Sequence, residues 1–370
     1  MLKVKPILPH EINTLNNKIR EGCEKLGYHG LVAKHNRENC TTSGFCLLGC
    51  PFDAKQSMLV TYVPRALRGG ARLVTDARVD RVLFAGNRAV GVRGRLLGPG
   101  RRRGPRFRAH APVVVLAAGA RHTPGILKRS HLRARQIGRN LTVHPNAKVV
   151  GIFEQKVYPW RGTHQAHQIH DFLDDGLLIG YAVPPPGILA TALPGIGPQS
   201  AELMALYDHM FPVGCLVEDT SSGRVVLGLD REPQMLYSLS QHDTETAHEG
   251  VAKICELLFA AGAKRCLLPF ADFAEIRSPD DVAKIRSRPL DPRGLELMTV
   301  HIMGSARMAR SPDEGATDAF GRVFDVPGLS VADASLFPSP VGVNPQETIM
   351  ALATRNARRW LEDGLTTRNR

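Results

Sequence analysis

The chain has 370 residues, with 48 Lys+Arg against 35 Asp+Glu and a formal net charge of +13. At 43% apolar and 22% charged residues it reads as a soluble, globular chain of two or three domains or one large two-lobed enzyme, and not as a disordered one. Its longest uncharged apolar run, APVVVLAAGA, is far short of the roughly 18 residues of a membrane span, and MLKVKPILPHEI lacks the apolar core of a secretory signal, so a cytoplasmic protein with no transmembrane segment is expected.

Residues 9–27 predict a helix, with Ile12, Leu15, Ile19, Cys23 and Leu26 on one stripe. NCTTSGFCLLGCP follows, an ordered loop holding Cys40, Cys46 and Cys50 of seven cysteines. An odd number of cysteines without a signal argues for reduced thiols. The spacing is like half an iron–sulfur site, but no CxxC pair completes a four-ligand set, so a metal-free segment is expected. AKQSMLVTYVPRALRGG predicts a helix interrupted or ended near Pro64 and closed by Gly69–Gly70. Beyond it, ARLVTDARVDRVLFAGNRAVGVRGRL alternates as strands with a turn at Gly86–Asn87.

GPGRRRGPRFRAH carries much of the excess positive charge. Only Phe107 is interleaved and Gly and Pro bracket the arginines, so it reads as a solvated loop at a hairpin tip, and no nucleic-acid partner is expected. APVVVLAAGA is a short apolar run ending in Gly119, as expected of a buried parallel strand that enters a site where backbone packs tightly.

From about 145 to 295 strand-like stretches (NAKVVGIFEQKV, FPVGCLVED, GRVVLGLD, QMLYSLS) are separated by turns, and AHEGVAKICELLFAAGA predicts a helix. YAVPPPGILATALPGIGP, nearly free of charge and full of Pro and Gly, is expected to be irregular, either as cover or as the lining of a site for a greasy ligand. In the last stretch GLSVADAS is a strand that runs into a Pro-bounded turn and then a helix. In VGVNPQETIM, Asn344 suits the N-cap, Pro345 the first helical position and Glu347 the third residue after the cap. Ile349, Leu352, Ala353, Ala357, Trp360 and Leu361 mark the buried face of that helix. A buried strand, tight turn and helix start is how α/β proteins hold nucleotides, and such a helix start can face something anionic.

Three blocks resemble the glucose–methanol–choline (GMC) oxidoreductase family of flavoenzymes, in particular its cholesterol-oxidase-like and long-chain-alcohol branches. They are CTTSGFCLLGCPFDAKQSMLVTYVPRALRGGARLVTDARVDRV, VVVLAAGARHTPGIL with IGRNLTVHP, and HIMGSAR with GRVFDVPGLSVADASLFPSPVGVNPQETIMALA. The resemblance implies an α/β (α+β) fold: an FAD-binding doubly wound module, here incomplete, and a substrate domain with a mainly antiparallel sheet and covering helices. The domains are expected at 1–150, 151–295 and, returning to the FAD-binding part, 296–365. Matched position by position, His301 falls on the family's catalytic histidine and Asn344 on its second active-site residue. Asp333 and Ala334 fall on the turn that contacts the flavin's ribityl–pyrophosphate part, Val79 on the strand residue that meets the adenine, and Pro345 on the residue beside the flavin ring. Gly119 closes the strand that enters the cofactor site.

The resemblance implies FAD as cofactor and oxidation of a CH–OH group. A His with a pKa of about 6.5 takes the hydroxyl proton at neutral pH, the amide of Asn344 orients the hydroxyl, and hydride passes to flavin N5. The substrate is a small-molecule alcohol, lipophilic by the apolar segment at 181–198, and the electron acceptor is oxygen or another carrier. The family's G-x-G-x-x-G turn at the front is not found: neither GPGRRRG nor GIGPQS fits it. The diphosphate cradle is therefore expected to lie outside this chain, upstream or in a separate amino-terminal fragment. Two readings stay open: a part of an alcohol oxidoreductase, or a truncated, catalytically inactive remnant that does not hold flavin by itself. A basic nucleic-acid or metal-cluster protein is a third.

Overall fold

The computed structural model describes residues 2–364. The chain forms two compact units, one from Met1–Arg72, Pro145–Glu218 and Gln241–Met298, the other from Leu73–His144, Asp219–Ser240 and Thr299–Arg370. Helices and mainly antiparallel sheets make up both, in agreement with the mixed α/β class read from the sequence.

The first unit is built on an antiparallel sheet whose centre pairs Asn146–Ile152 with Met210–Val217 and Met210–Val217 with Leu177–Tyr181. Successive side chains point to opposite faces, and each face has its own cover. On one face, Val149, Phe211 and Cys215 pack with Leu15, Ile19 and Cys23 of the helix Thr14–Leu26 and with Val251 and Leu258 of the helix Gln241–Ala260. The first helix begins later than its stripe predicted, because the Asn13 side chain accepts from Asn16 N at 2.9 Å and caps it there. It ends on Gly27, whose φ of +72° is the left-handed stop.

On the other face, Val150, Ile152, Met210 and Leu267 pack against Leu189 and Leu193. This corrects the expectation for the Pro/Gly-rich segment, which contains a short helix, Pro186–Thr191, and ends on the first residue of another, Pro198–Met204, each opened by its proline. Leu189 and Leu193 are core, whereas Ile188 and Ile196 are exposed. The segment is cover for the sheet.

In the second unit, Ala77–Ala85, Arg88–Leu97 and Arg103–His110 form a meander with the predicted two-residue turn at Gly86–Asn87. The arginine-rich stretch is therefore only in part a loop: from Arg103 onward it is the edge strand of this sheet. Its exposed arginines keep that edge from pairing further. Val114–Leu116 pairs in parallel with Leu329–Val331, with Val114 and Leu116 buried and Val115 42% exposed, so the strand is parallel as predicted but open on one side. The parallel pair packs with Ile126 and Leu127 of the helix Gly119–Arg129, and Leu336 joins the same core. The closing helix Gln346–Glu362 buries less than its apolar stripe predicted. Ile349, Leu352 and Ala353 are half-buried, Leu361 is exposed, and the fully buried residue on that face is Asn356.

Candidate active site

The second unit brings two segments side by side. Thr142 and Met303 form an antiparallel bridge, with Met303 N donating to Thr142 O at 2.9 Å and Thr142 N to Met303 O at 3.1 Å. The same register sets His144 opposite His301, and their rings meet edge to face, centroids 5.5 Å apart at 89°. Thr299 holds the approach to His301: its hydroxyl donates to Val143 O and accepts from His301 N at 3.1 Å. Gly304, at φ +70°, lets the strand turn away, and a Cβ there would lie 1.9 Å from Asn140 O.

Asn344 reaches this pair from the start of the closing helix. Its Nδ2 stands 3.3 Å from His301 Nε2. An amide nitrogen only donates, so as placed His301 Nε2 carries its lone pair toward Asn344. The N-cap position falls on Pro345 and not, as the sequence suggested, on Asn344: the helix begins at Gln346, and Ile349 N donates to Pro345 O at 2.9 Å. Burial holds the His301 imidazole below its ordinary pKa, so it is an uncharged base at neutral pH.

Sequence reasoning passed over His144 although its segment was read. It is buried at 1% exposure, and its Nε2 accepts from Val341 N at 3.3 Å and Gly342 N at 3.2 Å. Burial, with the neighbouring His301 second, lowers its pKa to about 4. Asp219, also not singled out, accepts from Val143 N at 3.0 Å, His144 N at 3.2 Å and Tyr237 Oη at 2.7 Å. Burial pushes the Asp219 carboxyl up, against the pull of those bonds. A histidine before a proline at the end of an apolar stretch is the one signal that could have marked His144.

Asp333 and Gly119 stand together at the carboxyl ends of the two parallel strands. Asp333 Oδ2 accepts from Gly119 N at 2.9 Å and from Thr123 Oγ1, and its Oδ1 accepts from Ser335 N at 2.8 Å and from the Ser335 hydroxyl. Both carboxylate oxygens are committed to the protein, and the turn they fix is open: a Cβ on Gly119, at φ +79°, meets nothing within 4 Å, and Ala117 and Ala118 are exposed. Ala334 is buried beside it, its carbonyl accepting from Gly304 N at 3.0 Å. That bond ties the Asp333 turn to the His301 strand. Val79 lies on the antiparallel meander opposite Gly94, next to a bulge at Asp80, and joins none of these hydrogen bonds. The geometry thus joins His301, Asn344 and Pro345 in one cluster and Gly119, Asp333 and Ala334 in another.

Among the described residues no group of three or more His, Cys, Asp or Glu side chains could hold a metal ion, and no helix is long and apolar enough to cross a membrane. Cys40, Cys46 and Cys50 are free and partly exposed.

The sequence matches two family models, both described as GMC oxidoreductase, over residues 2–146 and 219–353. It is 34% identical over 355 residues to a GMC-type oxidoreductase of Mycobacterium tuberculosis (strain CDC 1551 / Oshkosh), covering 95% of this chain and 55% of that protein. A GMC-type oxidoreductase of Sinorhizobium fredii is 31% identical, with 95% and 69% covered, and a long-chain-alcohol oxidase of Arabidopsis thaliana is 28% identical, with 91% and 48% covered. This chain thus spans about half the length of several curated relatives. Among solved structures, pyridoxine 4-oxidase from Mesorbium loti superposes with a TM-score of 0.67 at 17% identity, over 97% of this chain and 72% of that one, a likeness of fold. On the two family matches and the extent of the shared sequence, the chain belongs to the GMC oxidoreductase family.

Proposed function

We propose that the chain carries the alcohol-oxidising site of an FAD-dependent oxidoreductase that acts on the CH–OH group of a lipophilic alcohol. The observation that carries this reading is the Asn344 amide standing 3.3 Å from His301 Nε2. A substrate hydroxyl placed against both would meet an acceptor for its proton in the one and a hydrogen-bonding amide in the other. With its pKa held down by burial, His301 is unprotonated at pH 7 and can take that proton, while Asn344 fixes which way the hydroxyl-bearing carbon points. The helix Gln346–Glu362 begins two residues later, and its amino end favours negative charge developing nearby. The likeness to long-chain-alcohol oxidases supports the lipophilic class.

The residues fit a flavin dinucleotide in part. The Gly119 turn, with open space above it, and the Asp333 turn lie at the carboxyl ends of parallel strands, where α/β proteins take nucleotides. There the backbone would line the ribityl and phosphate portion, with Asp333 acting by holding the turn, and Pro345 and Val79 would line the ring and the adenine. Bound FAD would supply the two-electron acceptor for the alcohol. A second reading, that the chain holds flavin only together with a further segment or a separate amino-terminal fragment, is favoured by the two-stranded parallel sheet, open at Val115.

The test is to purify the chain with added FAD, alone and joined to the amino-terminal segment of a full-length relative, and to measure flavin absorbance and dye reduction by long-chain alcohols and sterols. His301→Ala should keep the flavin and lose about 10²–10⁴-fold in turnover. Near-normal turnover in that variant would refute the assignment of roles, and a flavin-loaded protein inert toward every alcohol would refute the activity.

A further inference from the structure

The second histidine of the pair stands in a conformation that demands an explanation. His144 has φ +42°, a left-handed backbone that a non-glycine residue rarely adopts, and it directly precedes Pro145. Its ring is buried, yet Nδ1 has no hydrogen-bond partner. A core position filled only for packing would tolerate neither feature well. What the ring gains is at its other nitrogen. Two successive backbone N–H groups, from Val341 and Gly342, converge on Nε2 at 3.3 and 3.2 Å. Gly342, at φ +67°, gives the turn that aims consecutive N–H groups at one acceptor, a concavity that elsewhere cradles an anion. Here a neutral lone pair fills it. A nitrogen that accepts two such bonds carries no proton, so the ring proton sits on Nδ1.

The contacts close a ring. His144 pins Val341–Gly342, two residues on Asn344 reaches His301 Nε2, and the His301 ring returns edge-on to His144. Asp219 anchors the near side by taking the His144 backbone N–H.

Building on the alcohol-oxidising reading, we propose that His144 is a positioning residue: through its Nε2 lone pair it fixes the segment that presents Asn344 to His301, and it is not a second base. The charged and titratable groups facing it are the His301 ring and, behind its backbone, Asp219. Its lowered pKa is in keeping with a ring that stays an acceptor throughout the working pH range.

The test begins on the 370-residue chain without flavin or alcohol, so it stands apart from the proposed activity. Long-range proton–nitrogen NMR on labelled protein, with His144 assigned by the spectrum of His144→Gln, should show the proton on Nδ1 at pH 7. A proton on Nε2, or a charged ring, would overturn the proposal without any variant having to be active. Amide exchange at Val341 and Gly342 should be slow in wild type and in His144→Gln, whose side-chain oxygen can stand near the Nε2 position. It should be roughly tenfold faster in His144→Leu, as for loss of one net hydrogen bond. His301 should titrate higher in His144→Leu, where the Asn344 donor is released from its lone pair, and return toward the wild-type value in His144→Gln. Unchanged exchange and titration in a folded His144→Leu would overturn the proposal. In the flavin-loaded enzyme the same Leu variant should lose turnover with little change in KM, and Gln should restore part of it. If the tautomer and exchange results hold while no alcohol is oxidised, the positioning stands and the proposed activity fails.

Discussion

Replacing Asp333 by Ala should unfold the second unit more readily than any surface change in it. The carboxylate gathers Gly119 N, Thr123 Oγ1, Ser335 N and the Ser335 hydroxyl, and Thr123 and Ser335 are fully buried. Removal leaves two buried hydroxyls and a buried backbone N–H without their acceptor, at about 1 kcal/mol each, and strips the negative group from the start of the helix Gly119–Arg129, worth about another 1 kcal/mol. The expected loss is therefore about 3–4 kcal/mol, a large share of a typical domain's stability. Asp333→Asn keeps one oxygen with its two donors but turns an NH2 toward the other two, so it should fall between wild type and Ala. Urea unfolding followed by fluorescence, with midpoints compared at constant slope, reads the effect. An Asp333→Ala chain within about 1 kcal/mol of wild type, or an Asn variant worse than Ala, would refute the account of this carboxylate as a clamp between two turns.

Gly304→Ala places a Cβ 1.9 Å from a backbone carbonyl at φ +70° and should destabilise by about 3 kcal/mol, whereas Gly187→Ala, with nothing within 4 Å, should change the unfolding midpoint little. Stability should also fall with acid in a way that depends on His144. The unfolded imidazole takes a proton near pH 6.5 and the folded one only near about 4, so the native state is fully favoured above the first value and loses up to about 3 kcal/mol as pH falls to the second. Urea midpoints of wild type and His144→Gln measured from pH 7.5 to 4 should diverge over that window, and parallel profiles would contradict it.

Much of the fold was legible because it obeys local rules. The Gly86–Asn87 turn and the parallel character of Val114–Leu116 both follow from residue types acting on their own backbone. What the sequence did not disclose depends on partners distant in the chain. YAVPPPGILATALPGIGP reads as irregular until Val150 and Met210 are there to bury Leu189 and Leu193, and only then are its prolines helix starts. Arg103–His110 reads as a charged loop until Arg88–Leu97 lies beside it as a template. The site divides in the same way. His301 and Asn344 were recognisable from motif blocks, but the pairing of residues 142 and 303 that sets His144 opposite His301 cannot be read from either segment alone. Asp219 too is distant along the chain from the backbone N–H groups of Val143 and His144 that it accepts, and nothing in VEDTSS distinguishes its carboxylate from any other.

The arrangement also explains which kind of base this site can offer. A histidine made strongly basic by a carboxylate would be protonated near neutral pH and have no lone pair to give. Here the Asp219 carboxylate behind His144 is taken up by two backbone N–H groups and the Tyr237 hydroxyl. Uncharged groups face His301: the His144 ring edge, the Thr299 hydroxyl at its backbone and the Asn344 amide. With no anion to stabilise its protonated form, burial alone sets the direction and the pKa goes down. In the proposed reaction this exchanges some base strength for full availability, since a base with a depressed pKa is unprotonated throughout the neutral range. After abstraction His301 carries the positive charge. Nearby negative charge arising as the alcohol is oxidised would be its natural partner, and the helix start two residues after Asn344 favours charge of that sign.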